Sequence, residues 1–267
     1  MHILQTQELT RRFGTVTAVN GLSVGIEEGE VFGLLGPNGA GKTTTIKMLT
    51  TLLAPTSGTA RLAGFDVVTQ ARHVRGLIGY VPQLISADGT LTGFENLLVF
   101  AKLYEIPRRE RAQRVHDALE FMGLEDSATK LVRQYSGGMI RRLEIAQSML
   151  HNPRVLFLDE PTVGLDPAAR RAVWDHIDQL RRQLGMTIVV TTHLMEEADS
   201  ICRRVAIMHV GKMVALGTPD ELKASVPGDG PEVTLDDVFI HYTGSDLDAG
   251  GSYRDVRRTR RAARRLG

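Results

Sequence analysis

The chain is poor in the features that mark secreted, membrane-spanning and metal-thiolate proteins. Its 267 residues include one cysteine, Cys202, which excludes a disulfide framework and any cysteine-based metal site. No apolar run approaches the roughly 18 residues a bilayer-spanning helix needs. The first residues, Met1-His-Ile-Leu-Gln-Thr-Gln7, lack the basic and apolar pattern of a secretion signal. The expectation is a cytoplasmic protein. Charge of one sign is also missing from the body of the chain. Arg254 to Arg265 carries seven arginines and one aspartate, a charge of +6 against a whole-chain net of +1, so the remainder stands at −5. A mildly acidic body gives no support for nucleic-acid binding.

What is present is a phosphate-binding loop. Gly36, Pro37, Asn38, Gly39, Ala40, Gly41, Lys42 and Thr43 fit the pattern G-x-x-x-x-G-K-[ST]. The apolar run Val31–Leu35 precedes them, and Thr44 to Leu53 reads as a helix, which supplies the strand–turn–helix context. Gly36, Gly39 and Gly41 let the backbone wrap an anion, and the helix N-terminus adds partial positive charge. Lys42 is expected on the β- and γ-phosphates and Thr43 on Mg²⁺.

Strand-like runs at Val31–Leu35, Val155–Leu158, Thr187–Thr191 and Val205–His209 alternate with helical patterns, which predicts an α/β domain on a largely parallel sheet. Ile3–Thr10, Leu22–Ile26 and Thr59–Leu62 are short and turn-bounded, and predict an antiparallel edge sheet. From about residue 88 to 150 the apolar residues fall at helical spacing, punctuated by Pro107 and Gly123, so an all-helical insert is expected there. Residues 1–225 then form the nucleotide-binding domain. The Gly-, Pro- and Asp-rich stretch after Val226 opens a C-terminal linker or extension, 226–250, ahead of an Arg-rich tail at 251–267.

Arg154-Val-Leu-Phe-Leu-Asp-Glu160 ends a buried strand in two carboxylates. This strand is expected directly beside the one feeding the loop, so that Asp159 shares Mg²⁺ with Thr43. Glu160 then projects toward the γ-phosphate as acceptor for the attacking water's proton. His193 closes the run Thr187–Thr192 on the same sheet edge, where it can bond the γ-phosphate or that water. Gln83 follows a short strand before the insert, within reach of metal or water; taken alone it reads as a plain loop residue. Tyr135-Ser-Gly-Gly-Met139 opens another helix, with Ser136 either as a simple N-cap or, with Gly137 and Gly138, as a second anion-binding end. A second cradle on a different lobe suits a nucleotide held by another subunit.

Taken together, these stretches resemble the nucleotide-binding domain of the ATP-binding cassette (ABC) family. Gly36–Thr43 resembles its Walker A motif, Gln83 its Q-loop, Tyr135–Met139 its signature, Val155–Glu160 its Walker B motif, Gly164-Leu-Asp166 its D-loop and His193 its switch histidine. Phe13, 29 residues before Lys42, stands where the family places an adenine-stacking aromatic, though it also reads as an ordinary core or turn phenylalanine. Met139 departs from the usual signature glutamine and, with Gly217–Ala224 and Leu235–Gly244, is similar to the daunorubicin-resistance branch of drug exporters. The resemblance implies a P-loop NTPase with a RecA-like core, ATP and Mg²⁺ as ligands, and a homodimer around two ATP. It also implies a separate integral membrane permease and a place at the cytoplasmic face of the cell membrane. Lys42, Gln83, Glu160 and His193 are its catalytic set. Thr43, Gln83 and Asp159 are its metal set. The loop with Thr44, Phe13, Asp166 and a partner's Ser136–Gly138 complete the nucleotide contacts. Rival readings are a soluble ABC ATPase acting on DNA or the ribosome, and a module that holds ATP without turning it over. The basic tail reads either as a docking segment for anionic lipid or as a solvated end.

Overall fold

A computed structural model describes residues 2–227 and 233–244. The chain opens with three short-range antiparallel partners, β1 (His2–Phe13), β2 (Val16–Leu22) and β3 (Gly25–Glu27), and then enters the central sheet at β4 (Val31–Leu35). Helix α1 (Lys42–Leu49) leads to β5 (Ser57–Leu62), β6 (Phe65–Asp66), α2 (Ala71–Leu77) and β7 (Ile78–Val81). Three helices follow: α3 (Gly93–Leu103), α4 (Arg108–Phe121) and α5 (Gly137–Met149). The chain then returns through β8 (Val155–Asp159), α6 (Pro167–Leu184), β9 (Thr187–Thr192), α7 (Met195–Ile201), β10 (Arg204–His209) and β11 (Lys212–Gly217). It ends, among the described residues, in α8 (Pro219–Ala224) and α9 (Leu235–Thr243).

The central sheet has the order β11-β10-β4-β9-β8-β7, parallel throughout except for β11. Its two faces explain the run of apolar residues. In β4, Val31 and Leu35 join one core while Phe32 and Leu34 join the other; Leu156 and Leu158 of β8 divide from Val155 and Phe157 in the same way. A period of two with both faces covered is the signature of a buried parallel sheet. The first core runs into α3–α5, and the second lies under the antiparallel sheet β2-β1-β5-β6. The architecture is the expected α/β nucleotide-binding fold with an antiparallel edge sheet and helices inserted between β7 and β8.

Four expectations differ from the structure. The strand ending in Asp159 does not lie beside β4, because β9 intervenes. The crossover through α6 returns β9 next to β8, and β9 thereby takes the place adjoining β4. Helix α1 ends at Leu49 rather than Leu53. Thr51 takes a left-handed φ of 66°, and the Leu52 and Thr51 N–H groups bond back to Lys47 and Met48, closing a Schellman cap. The segment Leu22–Ile26 is divided: Leu22 closes β2, and Ile26 belongs to β3. The linker read at 226–250 contains α9, whose Leu235, Val238 and Phe239 are buried against the first core. The basic tail lies outside the described residues.

Strands β10 and β11 are joined by Val210–Gly211, both at positive φ (45° and 75°) between the paired His209 and Lys212. This is the geometry of a type I′ hairpin turn, which favours Asn-Gly and disfavours a β-branched residue. Gly211 donates its N–H to the Ala40 carbonyl and accepts from the Asn20 N–H, so the turn braces the phosphate loop. Val210 itself is 71% exposed and contributes no core burial. Val210→Asn is therefore expected to stabilise the fold by about 1 kcal/mol and raise Tm by about 2–4 °C in a thermal melt.

Candidate nucleotide site

The loop from Gly36 to Lys42 joins the carboxyl end of β4 to the N-terminus of α1. Gly41 caps that helix at φ 104°, with no side-chain cap and no acid in the first turn, which leaves the helix's first N–H groups available to an anion. A Cβ on Gly41 would run into the Ala18 carbonyl, so only glycine lets the loop pass between β2 and the sheet. The cleft beside the loop is lined by Ala18, the stretch Pro37–Thr44, Gln83 and Glu160.

Lys42 is buried, and its ammonium folds back to donate to the carbonyls of Gly36 (2.6 Å) and Pro37 (3.2 Å). It also lies 3.0 Å from Glu160 Oε1, an ion pair between side chains only 5% and 4% exposed. The hydroxyl of Thr43 donates to Asp159 Oδ1 at 3.1 Å, so this pairing forms even with β9 between the two strands. Glu160 adopts a left-handed φ of 51°, unusual for a residue with a side chain. Its N–H is held by both the carbonyl (3.1 Å) and hydroxyl (3.0 Å) of Thr191, and its Oε2 pairs with His193 Nδ1 at 2.8 Å. Backbone strain of this kind collects at functional sites, where the surroundings over-determine it. Lys42, Glu160 and His193 thus form one continuous line of contacts. Burial, and secondarily the charge of Asp159, push the Tyr80 hydroxyl up to about 12, so it remains protonated.

This donor set fits a nucleotide triphosphate with a hard divalent cation. It offers a helix N-terminus, a lysine, a hydroxyl and two carboxylates, with no soft ligand. Glu160 Oε1 is buried and has no partner in hydrogen-bond geometry, although Lys42 is at ion-pair distance; that is an acceptor in want of a donor. No group of three or more His, Cys, Asp or Glu side chains among the described residues is arranged to hold a metal by itself, so a metal here would depend on phosphate oxygens as well.

The remaining predicted residues are placed as follows. Gln83 lines the cleft, its carbonyl held by Arg141 Nη2 at 3.0 Å. Phe13 ends β1, half exposed, with the Arg11 guanidinium 4.5 Å from its ring centroid; it is not part of the cleft lining. Ser136 caps α5 by accepting from the Met139 N–H, and it lies with Gly137 and Gly138 outside the cleft. The glycine pair has a packing reason as well: a Cβ on Gly138 would sit 2.8 Å from that of Ala169 on α6. Asp166 caps α6 by accepting from the Ala168 and Ala169 N–H groups.

Sequence reading missed the tie behind Gln83. Arg141 Nη1 bonds the Pro82 carbonyl at 2.8 Å and pairs with Glu144 Oε2 at 3.0 Å, while Glu144 Oε1 accepts from the N–H and hydroxyl of Ser86. Both side chains are buried, and desolvation holds the Arg141 guanidinium below its ordinary value against the opposing pull of Glu144 and Asp159. Their i, i+3 spacing was visible; their burial and their reach across to residues 82–86 were not. Ala18 had no signal at all.

A phosphate loop after β4, paired carboxylates at the end of a strand two positions away and a histidine just past the strand between define a P-loop nucleoside triphosphatase. Residues 19–163 match the family described as ABC transporter. The chain is 45% identical over 225 residues to the daunorubicin resistance ATP-binding protein DrrA3 of Streptomyces coeruleorubidus, covering 84% of this chain and 71% of that protein. It is 39% identical over 227 residues to the linearmycin resistance ATP-binding protein LnrL of Bacillus subtilis (strain 168), covering 85% and 73%. Among solved structures, cbiO1 of Clostridium perfringens, part of the ABC transporter complex cbiONQ, superposes with a TM-score of 0.78 at 29% identity, covering 84% of this chain and 91% of that one. The chain belongs to the ABC transporter family, as an ATP-binding and ATP-hydrolysing subunit.

Gly41→Ala should weaken nucleotide binding about 10- to 100-fold, through strain at its positive φ and the clash of the new Cβ with the Ala18 carbonyl. Equilibrium binding of ATP, alongside circular dichroism to confirm the fold, measures this.

Proposed function

We propose that this chain drives export of a drug-like or lipid-like substrate through a separate membrane permease, with two copies closing head to tail around two ATP. The observation that carries the reading is the division of the site. Lys42, Thr43 and Glu160 line one cleft, with Asp159 bonded to Thr43 beside it, while Ser136–Gly138 stand outside that cleft at the N-terminus of α5. Two copies facing each other would bring that second helix end to the phosphates held in the partner's cleft. Support for export comes from the resistance proteins to which the chain is similar. No helix among the described residues is long and apolar enough to cross a membrane; the permease is a separate partner in this reading, with the chain at the cytoplasmic face of its membrane. The cationic tail supports contact with anionic lipid. Equal pelleting on anionic liposomes with and without residues 252–267 would remove that contact.

In this reading Lys42 exchanges Glu160 for the β- and γ-phosphate oxygens. Freed from its ion pair, Glu160 accepts the proton of the attacking water. His193, already on Glu160 Oε2, orients that carboxylate and the γ-phosphate. Thr43, Asp159 and Gln83 would hold Mg²⁺, which neutralises charge between the phosphates when bound. Phe13 stacks on the adenine, Asp166 touches the opposing subunit's nucleotide, and phosphate release reopens the dimer.

Glu160→Gln should give a stable dimer in MgATP, seen by light scattering; a variant that stays monomeric at saturating nucleotide would sink the head-to-tail reading. Lys42→Ala should bring steady-state phosphate release to background, because the lysine positions the γ-phosphate.

A further inference from the structure

The hydroxyl of Thr191 touches the Asp159 carboxylate and the Glu160 backbone, and no motif described above includes it. Thr191 is fully buried on β9, in register with Leu34 on one side and Asp159 on the other. It therefore occupies the intervening strand that separates the phosphate loop from the carboxylates. Its Oγ1 lies 2.6 Å from Asp159 Oδ1 and 3.0 Å from the Glu160 nitrogen. The hydrogen positions follow from the partners. An ionised carboxylate only accepts and a backbone N–H only donates, so the hydroxyl gives its proton to Asp159 and receives that of Glu160. The short contact is that of a charge-assisted bond in a dry setting.

This hydroxyl decides how Asp159 presents itself. Oδ1 takes both protein donors, Thr191 and Thr43, which leaves Oδ2 without a hydrogen bond among the described residues. A carboxylate held by one oxygen with the other left open is arranged to give that second oxygen to a cation. We infer that Thr191 is a positioning residue that fixes the Asp159 carboxylate for the divalent metal and couples it to the backbone of Glu160.

The inference rests on the proposed role of Asp159 toward Mg²⁺, so the test separates the two. Binding of a non-hydrolysable ATP analogue to the full chain would be measured by calorimetry in MgCl₂ and in EDTA. The wild-type chain should bind more tightly with the metal. Thr191→Val keeps the shape but deletes the hydroxyl, and the Glu160 N–H retains the Thr191 carbonyl, so the loop stays anchored. It should lose about 10- to 100-fold of the metal-dependent gain, with affinity in EDTA unchanged. Thr191→Ser should restore the gain. Should the valine variant not fold, Thr191→Ala carries the same comparison. A full metal-dependent gain in the hydroxyl-less variant overturns the inference, as does an equal loss in EDTA or a serine variant that behaves like valine. A wild-type chain with no metal-dependent gain overturns the metal reading itself.

Discussion

The site depends on how one buried cation is neutralised. Lys42 sits in the interior with its ammonium surrounded by two carbonyls and Glu160. A charge removed from water at this depth costs several kcal/mol unless it is paired and hydrogen-bonded. The strained backbone of Glu160 and its hold on Thr191 and His193 bring the required carboxylate to it. A polyphosphate competes for the same charge. In the proposed mechanism, occupancy of the phosphate loop and release of Glu160 are one electrostatic exchange, in which the counter-ion is replaced rather than removed.

The sheet order sets what can respond to that exchange. With β9 between β4 and β8, residues at its carboxyl end lie within reach of both the loop and the acids. Thr191 and His193 use that position from opposite ends of a three-residue stretch. The tie from Arg141 and Glu144 to residues 82–86 connects the same edge to the first half of α5, whose N-terminus carries Ser136. The cleft and the inserted helices are thus tied through two buried side chains, Arg141 and Glu144, so displacement of one is resisted by the other.

Much of this site was legible because its parts are short and local. The glycine pattern, the carboxylate pair and the histidine each follow a buried strand, and parallel strands bring such ends to one edge. What sequence could not reveal is order across the sheet. The neighbour of β4 depends on where the α6 crossover lands, so Asp159 was expected one strand too close. Thr191 escaped notice because a threonine in an apolar strand looks like a β-former until its partners are known. Helix α9 was hidden by the Gly-, Pro- and Asp-rich stretch before it, although Leu235, Val238 and Phe239 carry the 3–4 spacing of a packed face. At Thr51 the obstacle was energetic: a left-handed threonine is an unfavourable choice that the closing bonds of α1 override.

The lone cysteine has a further meaning. Cys202 is buried at the end of α7, and burial, reinforced by Glu197 and Glu30, pushes its thiol far above the ordinary range. Its sulfur helps fill the space above Gly33 of β4, where an added Cβ would fall 2.8 Å from Sγ and 2.7 Å from Leu35 Cδ1. In the folded chain this thiol is neither nucleophilic nor reachable. Its chemistry is consequently a clock for opening: alkylation can proceed only as fast as α7 parts from the strand that feeds the phosphate loop, which makes Cys202 a built-in reporter of local unfolding at that seam.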